Sequence, residues 1–304
     1  MKAAVFAKHG LELRDVSQPQ PKAGEALVRV RYAGLNRRDL TRSPGDEGQI
    51  PGMDWSGERA DTGEAVMCMG AGGYAEYACS ACVLPVPKGV DLEQAAALPL
   101  ALLTMHDAIV GNGRLRRGES VLILGAASAV GLIGLQIAKL LGAAVVIGTS
   151  RKPEHRERLH EHGADLALDT ADERWVQSVL EATGGKGADL VIDQVSGRLF
   201  NATQKATAIR GRIVNVGRLG GMNADFDFNL HALRRIQYIG VTFRTRTPAE
   251  VAEIAQRMRA DLWPGLEAGK LRLPVDKTFP LGEAEAAQAR MRADQHFGKI
   301  LLRI

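Results

Sequence analysis

The sequence predicts an α/β chain in which a doubly wound parallel sheet is inserted into a β-rich domain. Three observations carry this expectation. Between Glu119 and Phe243, short apolar runs rich in Val, Ile and Leu alternate with helical segments. The first hundred residues instead hold short strands such as EALVRVRYAG (Glu25–Gly34) among many Gly and Pro turn signals. The chain closes on an extended FGKILLRI (Phe297–Ile304), which suits completion of the first part's sheet. The expected division is therefore 1–97 and 245–304 for the β-rich domain, with 98–244 inserted between them.

Within the insert, VLIL (Val121–Leu124) is the first strand and Val130–Leu141 the first helix. AVVIGT (Ala144–Thr149) is the second strand. Pro153 suits the first turn of a helix that ends near Gly163. LALD (Leu166–Asp169), a helix over Glu173–Ala182, DLVIDQV (Asp189–Val195), a helix over Arg198–Ala208, RIVNVG (Arg212–Gly217) and IQYIGVTF (Ile236–Phe243) follow. Apolar runs with no alternation are the mark of strands buried on both faces. Six of them in this order make a full Rossmann-type fold.

Composition narrows the function classes. The 304 residues are 45% hydrophobic and 24% charged, an ordinary soluble balance with room for two cores. No apolar run approaches the roughly 20 residues that span a bilayer, and MKAAVFAKHG is no secretory leader, so a cytoplasmic protein with no membrane contact is expected. The net charge is only +4, and no basic run is interleaved with aromatics, so no nucleic-acid partner is expected. Cys68, Cys79 and Cys82 are too few for a disulfide framework. The Cys79-x-x-Cys82 pair lies in an extended segment rather than at a helix start, so structural thiols are expected.

The strongest chemical signal is GAASAVG (Gly125–Gly131), between the first strand and its helix. A glycine turn there brings backbone N–H groups and the helix dipole to a pyrophosphate. The backbone of Ala127, Ser128, Ala129, Val130 and Gly131 is expected to face it. The second strand ends in Gly148-Thr149-Ser150-Arg151-Lys152, with no carboxylate for a ribose 2′-hydroxyl. Hydroxyls and two cations suit a 2′-phosphate, so NADPH is expected over NAD, with Thr149, Ser150, Arg151 and Lys152 as contacts.

At this point the chain resembles the medium-chain dehydrogenase/reductase superfamily and, within it, the zinc-free quinone oxidoreductases. The marks are GLNRRDL (Gly34–Leu40), IPGMDWSG (Ile50–Gly57), GGYAEYA (Gly72–Ala78), AAALPLALLT (Ala95–Thr104), GAASAVGLIGLQIAK (Gly125–Lys139), GADLVIDQVSG (Gly187–Gly197), GRIVNVG (Gly211–Gly217) and FGKILL (Phe297–Leu302). The resemblance implies a GroES-like catalytic domain interrupted by the Rossmann domain. Zinc-dependent relatives carry a Cys in the segment matching Gly34–Asp39 and a His-Glu pair where this chain has Met53-Asp54, so no metal is expected. The resemblance puts Asn36 by the nicotinamide and the substrate carbonyl, and Thr104 against the nicotinamide ring. It makes Lys152 a 2′-phosphate ligand, and Val195, Gly217 and Phe243 contacts to ribose and carboxamide. Lys299, in FGKILL, joins the cofactor-binding set. Thr170 replaces a cofactor-binding tyrosine of some relatives. TRSPGDEGQ (Thr41–Gln49) lacks the tyrosines that follow the Asn36 motif in others.

The implied reaction is hydride transfer from NADPH to a quinone or a conjugated enone or enal. Asn36 and Thr104 would donate to the oxygen on which negative charge grows. His106 is expected to point elsewhere on its helix, and Asp39 to support the loop by local hydrogen bonds. Two other functions fit the same residues: an NADPH-binding protein with little catalysis, structural, regulatory or RNA-associated, and an acyl-thioester enoyl reductase. The apolar final strand of the insert would be an exposed edge in a monomer, so a homodimer is expected.

Overall fold

The computed structural model describes every residue except Arg42, which lies in the Thr41–Gln49 segment and so leaves that position outside the described residues. The chain divides into two compact units. The first comprises Met1–Ala101, Pro248–Ala255 and Leu266–Ile304, and the second Leu102–Thr247 and Gln256–Gly265. The helix Pro248–Glu267 contributes to both, which the pattern of the sequence did not foretell.

The first unit opens with the strands β1 (Lys2–Ala7), β2 (Gly10–Asp15), β3 (Ala26–Gly34), β4 (Asp54–Arg59), β5 (Ala65–Met69), β6 (Tyr77–Ser80) and β7 (Cys82–Pro85), then the helix α1 (Leu92–Ala97). β1 and β2 form a hairpin. β4 and β5 are joined by a five-residue link, over which Arg59 N donates to Glu64 O at 2.9 Å.

The second unit holds the predicted alternation. Its strands are β8 (Ser120–Leu124), β9 (Val145–Thr149), β10 (Leu166–Leu168), β11 (Ala188–Asp193), β12 (Thr207–Asn215) and β13 (Gln237–Gly240). They pair in parallel in the order β10-β9-β8-β11-β12-β13, the strand order of a dinucleotide fold. The core is Leu122, Leu124, Ile147, Val191 and Ile213 packed with Trp175 and Val179. The helix that follows β8 covers Ala129–Leu140, and that after β11 covers Phe200–Ala206. The latter is shorter than the expected Arg198–Ala208. Thr207 and Ala208 belong instead to β12, where Thr207 pairs with Ala188 before a register shift brings Arg212 opposite Leu190. β13 likewise is shorter than Ile236–Phe243.

The chain then returns to the first unit with β14 (Val275–Pro280) and β15 (Lys299–Arg303). β15 pairs antiparallel with β3, Leu301 opposite Gly34, and so completes the sheet β14-β15-β3-β4-β5-β7. This pairing sets the C-terminal FGKILL beside Gly34–Asn36, and Leu35 N donates to Ile300 O at 2.9 Å. Among the described residues no helix is long and apolar enough to cross a membrane.

Candidate functional site

On the first unit, the end of β3, the start of β4 and the start of β15 bring four polar side chains into the interior. Asn36, Asp39, Asp54 and Lys299 are 8%, 5%, 0% and 1% exposed. Burial of unpaired charge is prohibitive, so each group must find partners. The Lys299 ammonium donates to Asp54 Oδ2 at 2.6 Å and to Asn36 Oδ1 at 2.9 Å. Asn36 Nδ2 donates to Asp54 Oδ2 at 3.0 Å and makes a long contact of 3.4 Å to Gly34 O. Asp54 Oδ1 accepts from Leu100 N at 2.7 Å. Removing one partner of such a buried pair costs about 3–5 kcal/mol, because the other charge is left unpaired. Gly34 is glycine for close approach: a Cβ there would lie 2.6 Å from Lys299 Cε and 2.6 Å from Ala96 O.

Asp39 supports the Asn36 loop as the sequence implied. Its Oδ2 accepts from Asn36 N at 2.9 Å and from the fully buried Tyr74 hydroxyl at 2.9 Å. Tyr74 stacks where Gly52, at φ +105°, leaves room for its ring. Burial pushes the Asp39 carboxyl up to about 6, against the pull of the Asn36 N–H, the Tyr74 hydroxyl and Lys299. An acid raised in the folded state binds its proton there first. Lowering the pH from 7 through 6 toward 4 therefore gains stability, by about 3 kcal/mol at most. Asp39→Asn removes that contribution. The stability difference between Asp39→Asn and wild type should be most favourable to the variant above pH 6 and shrink toward pH 4. A pH-independent difference in urea midpoints would rule out a raised carboxyl.

On the second unit, Gly125 turns at φ +73°, the left-handed region open to glycine. Ser128 caps the helix Ala129–Leu140, accepting from Gly131 N at 3.0 Å. The N–H groups of Ala129 and Val130 have no acceptor inside the helix, as at every helix start. Gly131 is pressed onto the turn, where a Cβ would sit 2.6 Å from Ala126 Cα. The turn, the cap and the dipole together fit an anionic pyrophosphate.

Thr149 holds this turn from beneath: its hydroxyl accepts from Gly125 N at 3.1 Å, and the residue is 2% exposed. Its side chain is thus committed to the turn rather than displayed beside Ser150. Arg151 is exposed and Lys152 half-buried. Arg156, unassigned from sequence, clamps this strand end. Its Nη1 donates to Ser150 O and to Asp169 Oδ2, both at 2.9 Å.

At the ends of β11 and β12, Asp193 Oδ1 accepts from Val195 N and Ser196 N, both at 2.8 Å. That fixes Ser196 at φ +56°, a strained conformation for a non-glycine residue. Gly217 leaves no room for a side chain, since a Cβ would meet Gln194 O at 2.7 Å. A cavity of about 200 Å³ opens beside them, lined by Ser196, Asn215, Arg218, Phe200, Phe226 and Tyr238 among others. Phe243 is half-buried under the Arg246 guanidinium, 5.5 Å from its ring. Thr104 is half-buried on the helix Pro99–His106. His106 is buried, its Nε2 2.7 Å from Asp261 Oδ2. The three cysteines are unpaired thiols, and burial raises the pKa of each, that of Cys82 to about 11, so none is an activated thiolate.

Residues 129–260 match the model of a family described as zinc-binding dehydrogenase. Over nearly its whole length the chain is similar to a quinone oxidoreductase of Pseudomonas aeruginosa, with 31% identity covering 98% of each. A quinone oxidoreductase of Rattus norvegicus is 27% identical over 95% of this chain and 92% of its own. Among solved structures, the quinone oxidoreductase of Thermus thermophilus, also determined as a complex with NADPH, superposes with a TM-score of 0.86 at 29% identity, covering all of both chains. That of Pseudomonas syringae pv. Tomato gives 0.88 at 27%, covering 100% of this chain and 99% of the other.

Proposed function

This chain belongs to the medium-chain dehydrogenase/reductase superfamily, in its quinone oxidoreductase branch, and from that premise we propose that it reduces quinones or conjugated enones and enals with NADPH and without zinc. The observation that carries this reading is the Gly125–Gly131 turn with its Ser128 cap, joined on one unit to a strand end rich in cations. When bound, NADPH supplies the hydride.

Each protein group then has a task. The backbone of Ala127, Ser128, Ala129, Val130 and Gly131 receives the pyrophosphate. Ser150, Arg151 and Lys152 bind the 2′-phosphate, with Thr149 holding the turn below them. Val195, Gly217 and Phe243 line the ribose and carboxamide. Thr104 faces the nicotinamide ring. Asn36 directs an amide N–H at the substrate oxygen, where negative charge is largest in the transition state. Solvent water delivers the final proton.

The donor set supports the zinc-free reading. Asn36 and Met53 stand where zinc-dependent relatives carry ligands, and both carboxylate oxygens of Asp54 already accept hydrogen bonds. The family-model match begins at residue 129, beyond all three positions. The test is NADPH oxidation with a benzoquinone, phenanthrenequinone and a short enal, before and after prolonged dialysis against EDTA. Turnover with at least one acceptor, unchanged by EDTA, is expected. Loss of turnover on chelation, restored by zinc, would overturn the zinc-free reading.

A homodimer is part of the proposal. β13 ends the second unit's sheet, and its Gln237, Tyr238 and Gly240 are exposed. On the same unit Met222 and Phe228 are each 78% exposed, with Ile209, Leu219 and Leu233 also open. Such an apolar edge invites pairing with a symmetry mate. Light scattering at micromolar concentration should give twice the 32.6 kDa chain mass, and a monomer mass would refute it.

A further inference from the structure

We propose that Lys299 and Asp54 are positioning residues that fix which end of the Asn36 amide serves as donor. The inference rests on the reading of Asn36 as the group that meets the substrate oxygen. An asparagine side chain is nearly symmetrical in shape, so packing alone does not choose between its two orientations. Here three hydrogen bonds choose. Lys299, which has no acceptor capacity, donates to Asn36 Oδ1 at 2.9 Å and so can face only the carbonyl end. Ionised Asp54, which has no hydrogen to give, accepts from Asn36 Nδ2 at 3.0 Å and so can face only the amino end. Lys299 and Asp54 close the cycle with each other at 2.6 Å. Turning the amide over would set N–H against ammonium and C=O against carboxylate, between groups that are all buried.

The cycle also apportions the amide hydrogens. One is held by Asp54. Among the described residues the other has only the 3.4 Å contact to Gly34 O, too long to satisfy it well. That second hydrogen is the one left to serve a substrate oxygen. Lys299 is placed by β15 and Asp54 by β4, on either side of β3, so the orientation is written into the sheet rather than into a loop. A lysine so fully engaged acts through Asn36, which differs from the cofactor contact that its place in FGKILL implied.

The test uses Lys299→Met together with Asp54→Asn, which removes both charges at once, so that neither is left buried without the other. The carboxamide introduced by Asp54→Asn must still accept from Leu100 N, so its amino group would replace Oδ2 and face Asn36. The Asn36 amide is then expected to turn over. In protein labelled with ¹⁵N-asparagine, the Asn36 side-chain hydrogen held by Asp54, its signal assigned by loss in Asn36→Ala, should exchange with solvent slowly in wild type and at least about tenfold faster in the double variant. kcat with an enone should fall about 10²-fold, as in Asn36→Ala, with KM and the NADPH Kd little changed. Adding Asn36→Ala to the double variant should cost nothing more, because the orientation it protects is already lost. Unchanged exchange, a fully additive loss with Asn36→Ala, or an effect confined to NADPH Kd would overturn the proposal. The exchange experiment needs no turnover. A wild-type protein inactive with every acceptor would therefore refute the functional reading, while the orientation of Asn36 would still be decided by exchange.

Discussion

Replacing Arg151 and Lys152 together by Ala should raise the NADPH dissociation constant by about 10²–10⁴ and change that of NADH little. Each hydrogen bond to a charged group contributes about 1.5–3 kcal/mol, and two such contacts give this range. The strand end where they sit offers no carboxylate for a 2′-hydroxyl. Contacts from other residues hold the backbone beneath them: Thr149 holds the Gly125 turn, and Arg156 holds Ser150 through its carbonyl. The double variant should therefore keep the pyrophosphate cradle and lose only the phosphate discrimination. Fluorescence titration with both cofactors is the measurement. Equal weakening of NADPH and NADH would mean that the two cations serve the fold or the pyrophosphate instead.

Asn36→Ala should lower kcat with an enone by about 10²-fold, the low end of the cost of losing one oxyanion donor, because water can take part of its place. NADPH binding should change much less. Asn36→Asp should be worse than Ala. It keeps the shape, but it puts a carboxylate beside the growing negative charge and beside the buried Asp54. If both variants kept wild-type kcat while remaining folded, Asn36 would be only the residue that opens the Arg37–Leu40 turn. The stabilising role would then pass to Thr104 or to a backbone N–H.

Much of the fold was legible because parallel strands buried on both faces leave unbroken apolar runs. VLIL, AVVIGT and DLVIDQV are such runs, and all three are strands of the central sheet. The boundaries failed where two signals overlapped. Thr207 and Ala208 continue an apolar helical pattern, yet backbone pairing with Ala188 draws them into β12. Propensity is a local quantity, and the pairing that overrode it lies outside the segment.

The site was legible by position but not by wiring. Asn36, Asp39 and the glycine turn stood out as residue types in a loop or at a strand end. The cycle of Asn36, Asp54 and Lys299 did not, since Lys299 meets its partners across 263 and 245 residues. One signal was there to be used. Lys299 opens KILL, a run whose four residues are all buried, and a lysine inside a buried strand demands a carboxylate. Asp54, opening DWSGER, a strand whose first four residues are buried, is the matching anion. Tyr74 and Arg156 carried no comparable mark, being an aromatic among glycines and one cation among several.

Hydride transfer itself is tested most directly by isotope. NADPH carrying deuterium at C4 of the nicotinamide, on the transferred face, should be oxidised by the wild-type protein with a short enal, and the reduced product should carry one deuterium on the carbon β to the carbonyl. An unlabelled product, or NADPH oxidised without reduction of the enal, would contradict direct hydride transfer to a conjugated carbonyl.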